Sequence, residues 1–270
     1  MRPVLRLCTL VAFPLILGTG LAHAIGPVPV DAFHPSQPKV SFALVRKHVR
    51  EWKRDAKRRG MSLKRYAKEV IQEEFNKTKV PSFIKPDGDL DNTDSHHHMD
   101  AAKVVQAKTG FQLVRPVKVL KDYTGWDETA YAEHVVNVLK KGWFGKKMAD
   151  RSPLAKVRSW PKTYAQLKND PLRGAVDNAF SRLGLPGTLF TDYIEFKVGD
   201  ALAAAGIHAR LREEGLIPKG ARSIPDKLVF KKKIAKQIIK MMREPAIREL
   251  MLKNARNEEA RKRIESALDG

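Results

Sequence analysis

From Ser41 to Arg59 the apolar residues Phe42, Val45, Val49, Trp52 and Ala56 recur at steps of three and four, which predicts a helix with one buried stripe. Its other side carries Arg46, Lys47, Arg50, Lys53, Arg54, Lys57, Arg58 and Arg59. Gly60 ends the pattern, and Ser62 is placed to cap a second helix reaching Phe75, with Leu63, Tyr66, Val70 and Phe75 inward. Val80 to Ile84 reads as a short apolar strand that runs through the Pro86-Asp87-Gly88 turn into a second strand. Ala101 to Lys108, followed by Gly110, predicts a helix closed by a glycine. Phe111 to Leu120 alternates as a strand, and Pro116 puts it near a sheet edge.

Asp127 to Lys141 is the next amphipathic stretch, with Tyr131, Val135, Val138 and Leu139 inward and Gly142 as its stop. Asn169-Asp170-Pro171 is a turn that starts a helix with proline in its first position, continuing to 183. Glu195 lies among aromatic residues, ahead of an apolar helix near Asp200 to Ala205. After a hinge at Pro218, Gly220 and Pro225, helices are expected over about 226–243 and 245–267, with Ile234, Ile238, Ile239 and Met242 as the stripe. The pattern as a whole predicts an α/β (α+β) protein, mostly helical, with a small sheet.

The two ends differ from the middle. Residues 1–24 carry only Arg2 and Arg6 as charges, then an apolar run through Leu17 and the small residues Ala22 and Ala24, the pattern of a secretory signal peptide cleaved near Ala24 and Ile25. A secreted or periplasmic protein is therefore expected. No later segment is long and apolar enough to cross a membrane. The expected organisation is a signal peptide at 1–24, a domain at 25–207 and a basic helical extension at 208–270. With 43% hydrophobic residues the chain can bury a sizeable core. The single cysteine, Cys8, falls inside the signal, so thiol catalysis, disulfides and cysteine metal ligands are excluded from the mature protein. A net charge of +21, or +19 without Arg2 and Arg6, predicts attraction to a polyanion: nucleic acid, anionic lipid or an acidic envelope polymer.

The densest chemistry lies at Asp94-Ser95-His96-His97-His98, where loop becomes helix. Helix-initial N–H groups lack intrahelical partners and favour an anion, and imidazole changes charge near neutral pH. The plainer alternative is that Asp94 or Ser95 only caps the helix. His96, His97 and Asp100 lie within one turn and are candidate metal ligands, of which at most two histidines can serve one ion. The tryptophans Trp52, Trp126, Trp143 and Trp160 fit core or rim positions better than base-stacking platforms.

Four blocks resemble the putative ParB-like nuclease family, a branch of the ParB/sulfiredoxin superfamily. They are His34-Pro35-Ser36-Gln37 with the helix at Val45-Arg46-Lys47, then Asp94-Ser95-His96-His97, then Asn169-Asp170-Pro171-Leu172-Arg173, and Phe190 with Glu195-Phe196. The resemblance covers roughly 33–205. It implies a small α/β domain whose strand–loop–helix junction binds a phosphate-bearing group; better-known relatives bind nucleotides there. The usual junction reads Gly-x-His-Arg, whereas here Ser95 replaces the glycine and His98 the arginine, which makes a nucleotide a less favoured ligand.

The reading is a secreted phosphodiester- or phosphate-processing hydrolase of nuclease type. Its catalytic candidates are Asp94, His96, His97 and Glu195, with Asp94 orienting an imidazole. Its phosphate-binding candidates are Lys47, Ser95, His98 and Arg173. A divalent metal is the cofactor left open. Two alternatives stand beside it: a non-catalytic polyanion-binding protein, and a metal-dependent hydrolase. The catalytic imidazole is expected to titrate somewhat below about 6.5, because the positive end of a helix disfavours its charged form.

Overall fold

A computed structural model describes residues 25–37, 39–139, 152–191 and 194–270. Residues 1–24, expected to be a signal peptide, lie outside the described residues, as do Trp143, the expected stop at Gly142 and the side chains of Val138 and Leu139. The protein is mostly helical with small mixed sheets. Among the described residues no helix is long and apolar enough to cross a membrane.

The central sheet has four strands in the order β2-β5-β4-β7: β2 (Phe33–Pro35), β5 (Leu90–Asn92), β4 (Val80–Ile84) and β7 (Val117–Asp122). β5 runs parallel to β2 and antiparallel to β4, and β4 runs parallel to β7. Pro116 separates β6 (Val114–Arg115) from β7, which lies at the sheet edge as its proline predicts. β6 pairs antiparallel with β1 (Val28–Pro29), and β3 (Lys39–Val40) pairs parallel with β8 (Lys168–Asn169). Side chains alternate across a strand, so residues in register share a face. The row His34–Asp91–Phe83 faces a small cluster of Phe83, Tyr123, Tyr131, Val135 and Trp160, carried by α5 (Glu128–Leu139) and the segment around α6 (Pro153–Arg158). On the opposite face, Phe33 and Leu90 join a larger core with Val45, Val49 and Trp52 of α1 (Phe42–Arg58) and with Met99 and Val105 of α4 (His96–Thr109).

The predicted stripe of α1 is the buried one, apart from half-buried Phe42. Ser62 caps the second helical rod as expected, accepting from the Arg65 N–H at 3.2 Å. That rod is α2 (Leu63–Tyr66), a π-helical stretch at Ala67–Ile71, and α3 (Gln72–Asn76).

The second core is all helical. It joins Leu172, Val176 and Phe180 of α7 (Pro171–Arg182) to Val198 and Leu202 of α8 (Ile194–Ala204) and to α9 (Ile207–Glu213). Ile234, Ile238 and Met242 of α10 (Lys232–Met242), Met251 of α11 (Pro245–Lys253) and Ile264 of α12 (Glu258–Asp269) complete it, so this core draws on residues on both sides of position 207. Three predicted boundaries move. The helix expected near 200 starts at Ile194, which places Glu195 in its first turn. The helix expected from 226 begins at Lys232, after a short 3-10 turn at Asp226–Leu228. The helix expected over 245–267 is two helices, because Asn257 accepts from the Ala260 N–H at 2.8 Å and opens a new one.

Gly174 sets how α7 meets α1. A Cβ there would lie 2.2 Å from Ser41 Oγ, so only glycine permits the approach. Gly174→Ala is expected to destabilise the fold by about 1–3 kcal/mol, measured by urea unfolding. A chain ending at Ile207 loses a large share of the second core and is expected to lose its cooperative melting transition; an unchanged Tm would show that the later helices are not part of the fold.

Candidate functional site

β5 delivers the chain to the junction. Thr93 N–H donates to the Pro81 carbonyl at 2.9 Å, and Asn92 Nδ2 donates to the Asp94 carbonyl at 2.7 Å, which fixes the bend. Asp94 Oδ1 accepts the Ser95 N–H at 2.6 Å. Ser95 then takes the left-handed conformation at φ 64°, the only non-glycine residue among those described to do so. This is the position where the resembling junctions have glycine; the αL geometry is kept although Cβ strains it. No side chain caps α4, so its first N–H groups stay open where Ser95 to His98 line a cavity of about 730 Å³.

The three histidines go three ways. His96 is buried, with its ring 6.3 Å from that of Tyr164. Burial, and next the charge of Arg173, push it down to about 3, while a hydrogen bond to the Asn92 backbone acts the other way. His97 Nε2 accepts the Ser41 N–H at 2.9 Å, so the neutral ring carries its proton on Nδ1. Burial, with Arg173 second, holds His97 well below the usual imidazole range. His98 lies against His48, ring centroids 4.2 Å apart, and both are lowered chiefly by burial, His48 to about 4. Burial thus lowers His96 further below about 6.5 than the helix terminus alone was expected to do.

Arg173 enters from α7. Its N–H donates to Asp170 Oδ1 at 3.2 Å, which caps the helix that the turn starts. Nη2 donates to Glu195 Oε1 at 2.7 Å, Nη1 to Gln37 Oε1 at 3.4 Å, and the guanidinium lies 3.7 Å from the centre of the Phe196 ring. Glu195 is thus the ion-pair partner of Arg173. Asp94, expected to orient an imidazole, holds the Ser95 N–H instead and makes no hydrogen bond to a histidine among the described residues.

Lys47, Asp94, Ser95, His96, His97, His98, Arg173 and Glu195 all line this one cavity; Asp100 does not, and burial raises its carboxyl to about 6. Among the described residues no three potential ligands come together to hold a metal ion. Gln37, His48 and Asp177 also line it and were not among the candidates. Gln37 ended the first resembling block, His48 sits beside Lys47 at the edge of the α1 stripe, and Asp177 follows Arg173 by one helical turn. Burial raises the carboxyl of Asp177.

A family model described as "Putative ParB-like nuclease" matches residues 27–204, about two thirds of the chain. The chain belongs to that family. Among solved structures, protein Atu1540 from Agrobacterium tumefaciens is similar with a TM-score of 0.53 and 17% identity, covering 84% of this chain and 95% of that one. At that identity the likeness shows the fold alone. No curated protein matches. The family match spans the junction and the Arg173 block, and leaves α9 to α12 wholly outside it.

The buried histidines of this ParB-like protein make its stability depend on pH. His48 is lowered to about 4 in the fold, against about 6.5 unfolded, so the unfolded chain takes up the proton first. Its contribution is complete above about 6.5 and is lost as pH falls toward 4. His48→Gln is expected to reduce the stability lost between pH 7 and pH 4.5 by an amount on the order of 1–3 kcal/mol, measured by denaturant titration at both values.

Proposed function

We propose that this ParB-like protein is a phosphodiester-processing hydrolase acting at the Asp94–His98 junction. One observation carries the reading: an uncapped helix N-terminus, a clamped arginine and a neutral buried imidazole line the same cavity. The open N–H groups and Arg173 would hold phosphate oxygens, with Lys47 of α1 adding charge. His96 would move the proton of the reaction. His97 would shape the phosphate loop, since its Nε2 ties α4 to the start of α1. Glu195 fixes the guanidinium. The cations of α1 support a polymeric substrate such as nucleic acid, as Arg50, Lys53 and Lys57 stand exposed beyond Lys47. Export to the periplasm or beyond belongs to the same proposal and rests on residues 1–24.

The second reading, a polyanion-binding protein without catalysis, is favoured by that α1 face alone. It predicts binding that weakens steeply with salt and ignores the histidines. The deciding assay is hydrolysis of DNA, RNA and bis(4-nitrophenyl) phosphate, with and without divalent metal. His96→Ala is expected to lower kcat about 100- to 10,000-fold with little change in affinity, and His97→Ala to weaken affinity. Equal activity of wild type and the double alanine would sink the enzymatic reading.

A further inference from the structure

The cavity at the junction is larger than a phosphate group needs, and it does not stand alone. A second space of about 530 Å³ adjoins it and shares Asp177, Ser181, Gly187, Ile194 and Glu195 as lining. Past these shared residues its walls are Phe180, Leu185 and Pro186 with Gly184, which carry no charge. The two spaces make one groove, so the groups that flank phosphorus have a place in it as well.

Charge is spread unevenly along this groove. Arg173, Asp177 and Ser181 follow one another at steps of four on α7, so they share one face, each about 6 Å further along the axis. Arg173 is engaged by Glu195 at 2.7 Å. Asp177, one turn later, is half-buried, and no hydrogen bond or ion pair reaches its carboxylate among the described residues. An ionised carboxylate only accepts, and withdrawing it from water without a donor is costly. A second phosphate would be repelled at this place. A group that offers an O–H or N–H is favoured instead.

We infer that Asp177 accepts a hydrogen bond from the ribose 2′-hydroxyl beside the bound phosphodiester, which makes RNA rather than DNA the substrate class of this site. The inference rests on the phosphodiester reading. One helical turn separates the arginine of the phosphate site from the carboxylate, and in a nucleic acid the group bonded to phosphate is the sugar. The base carried by that sugar then meets the uncharged walls at Leu185 and Pro186. The 2′-hydroxyl is the donor that RNA has and DNA lacks. A deoxyribose would cover the carboxylate with C–H groups and leave it unpaired, so the penalty falls on DNA. An amino group of a base is the competing donor, but it is present in both polymers and gives no preference between them.

Three single-stranded oligoadenylates of one length test this by fluorescence anisotropy, at one salt concentration and with divalent metal chelated: the ribo, deoxyribo and 2′-O-methyl forms. Wild type is expected to bind the ribo form about 10- to 100-fold more tightly than the other two. Asp177→Ala is expected to weaken binding of the ribo form by about the same factor. The same change should leave the deoxyribo form unchanged or bound more tightly, because a negative charge has gone from the groove. A merely structural role would move both forms in one direction, and that result overturns the inference. If the alanine variant does not fold, the wild-type comparison decides without it. Equal affinity for the ribo and deoxyribo forms, or a 2′-O-methyl form bound as tightly as the ribo form, overturns the inference and leaves the hydrolase reading standing. A 2′-hydroxyl preference in a protein that hydrolyses no phosphodiester supports the inference and overturns the hydrolase reading alone.

Discussion

Ser41 sits where four elements cross. Its N–H donates to His97 Nε2 at 2.9 Å, its Oγ accepts from the Leu44 N–H at 3.4 Å to cap α1, and Gly174 of α7 lies against that same hydroxyl. Next to it, Phe42 N–H donates to Asn169 Oδ1 at 2.9 Å, and Asp170 N–H donates to the Val40 carbonyl at 2.7 Å. This crossing joins the two helical faces that bound the cavity. α4 brings the histidines, α1 brings Lys47 and His48, and α7 brings Arg173; none could be displaced without breaking a bond made by buried backbone. The cavity is thus a consequence of how three helix starts are tied together.

Electrostatics then decides what the cavity can do. A cluster of imidazoles beside Arg173 and the positive end of a helix would be untenable if charged, and burial keeps the rings neutral. Neutral imidazoles accept as well as donate, which is what proton transfer beside an anion requires. Arg173, held by Glu195 and Gln37 over the Phe196 ring, keeps a fixed positive charge where mobile lysines could not supply a defined direction. The helices after the family match, α9 to α12, share a core with α7 and α8. Their packing on α7 and α8 steadies the elements that carry Arg173 and Glu195.

Much of this was legible in the order of residues. Helix boundaries announced themselves, two starts through Ser62 and Pro171 and one end through the glycine after α4, and the α1 stripe was readable because helical period and burial agree. The junction itself stood out, since three adjacent histidines between a strand and a helix are a local feature. Where local signals compete, the boundaries slipped: nothing in the spacing of Ile234 to Ile264 reveals that Asn257 ends one helix and begins another.

What the sequence determined by itself is therefore the helical fold class, the charge of α1, the absence of thiol chemistry beyond Cys8 and the position of the junction. Tertiary structure alone decided the surroundings of each histidine. His96, His97 and His98 are identical by sequence and differ only in what lies around each: the Asn92 backbone, the Ser41 N–H and the His48 ring. It also set Arg173 against Glu195, and brought Gln37 and Asp177 to the wall. The physical reason is distance along the chain. Gln37 and Arg173 are 136 residues apart, and a proton affinity set by burial and by such long-range neighbours has no local signature.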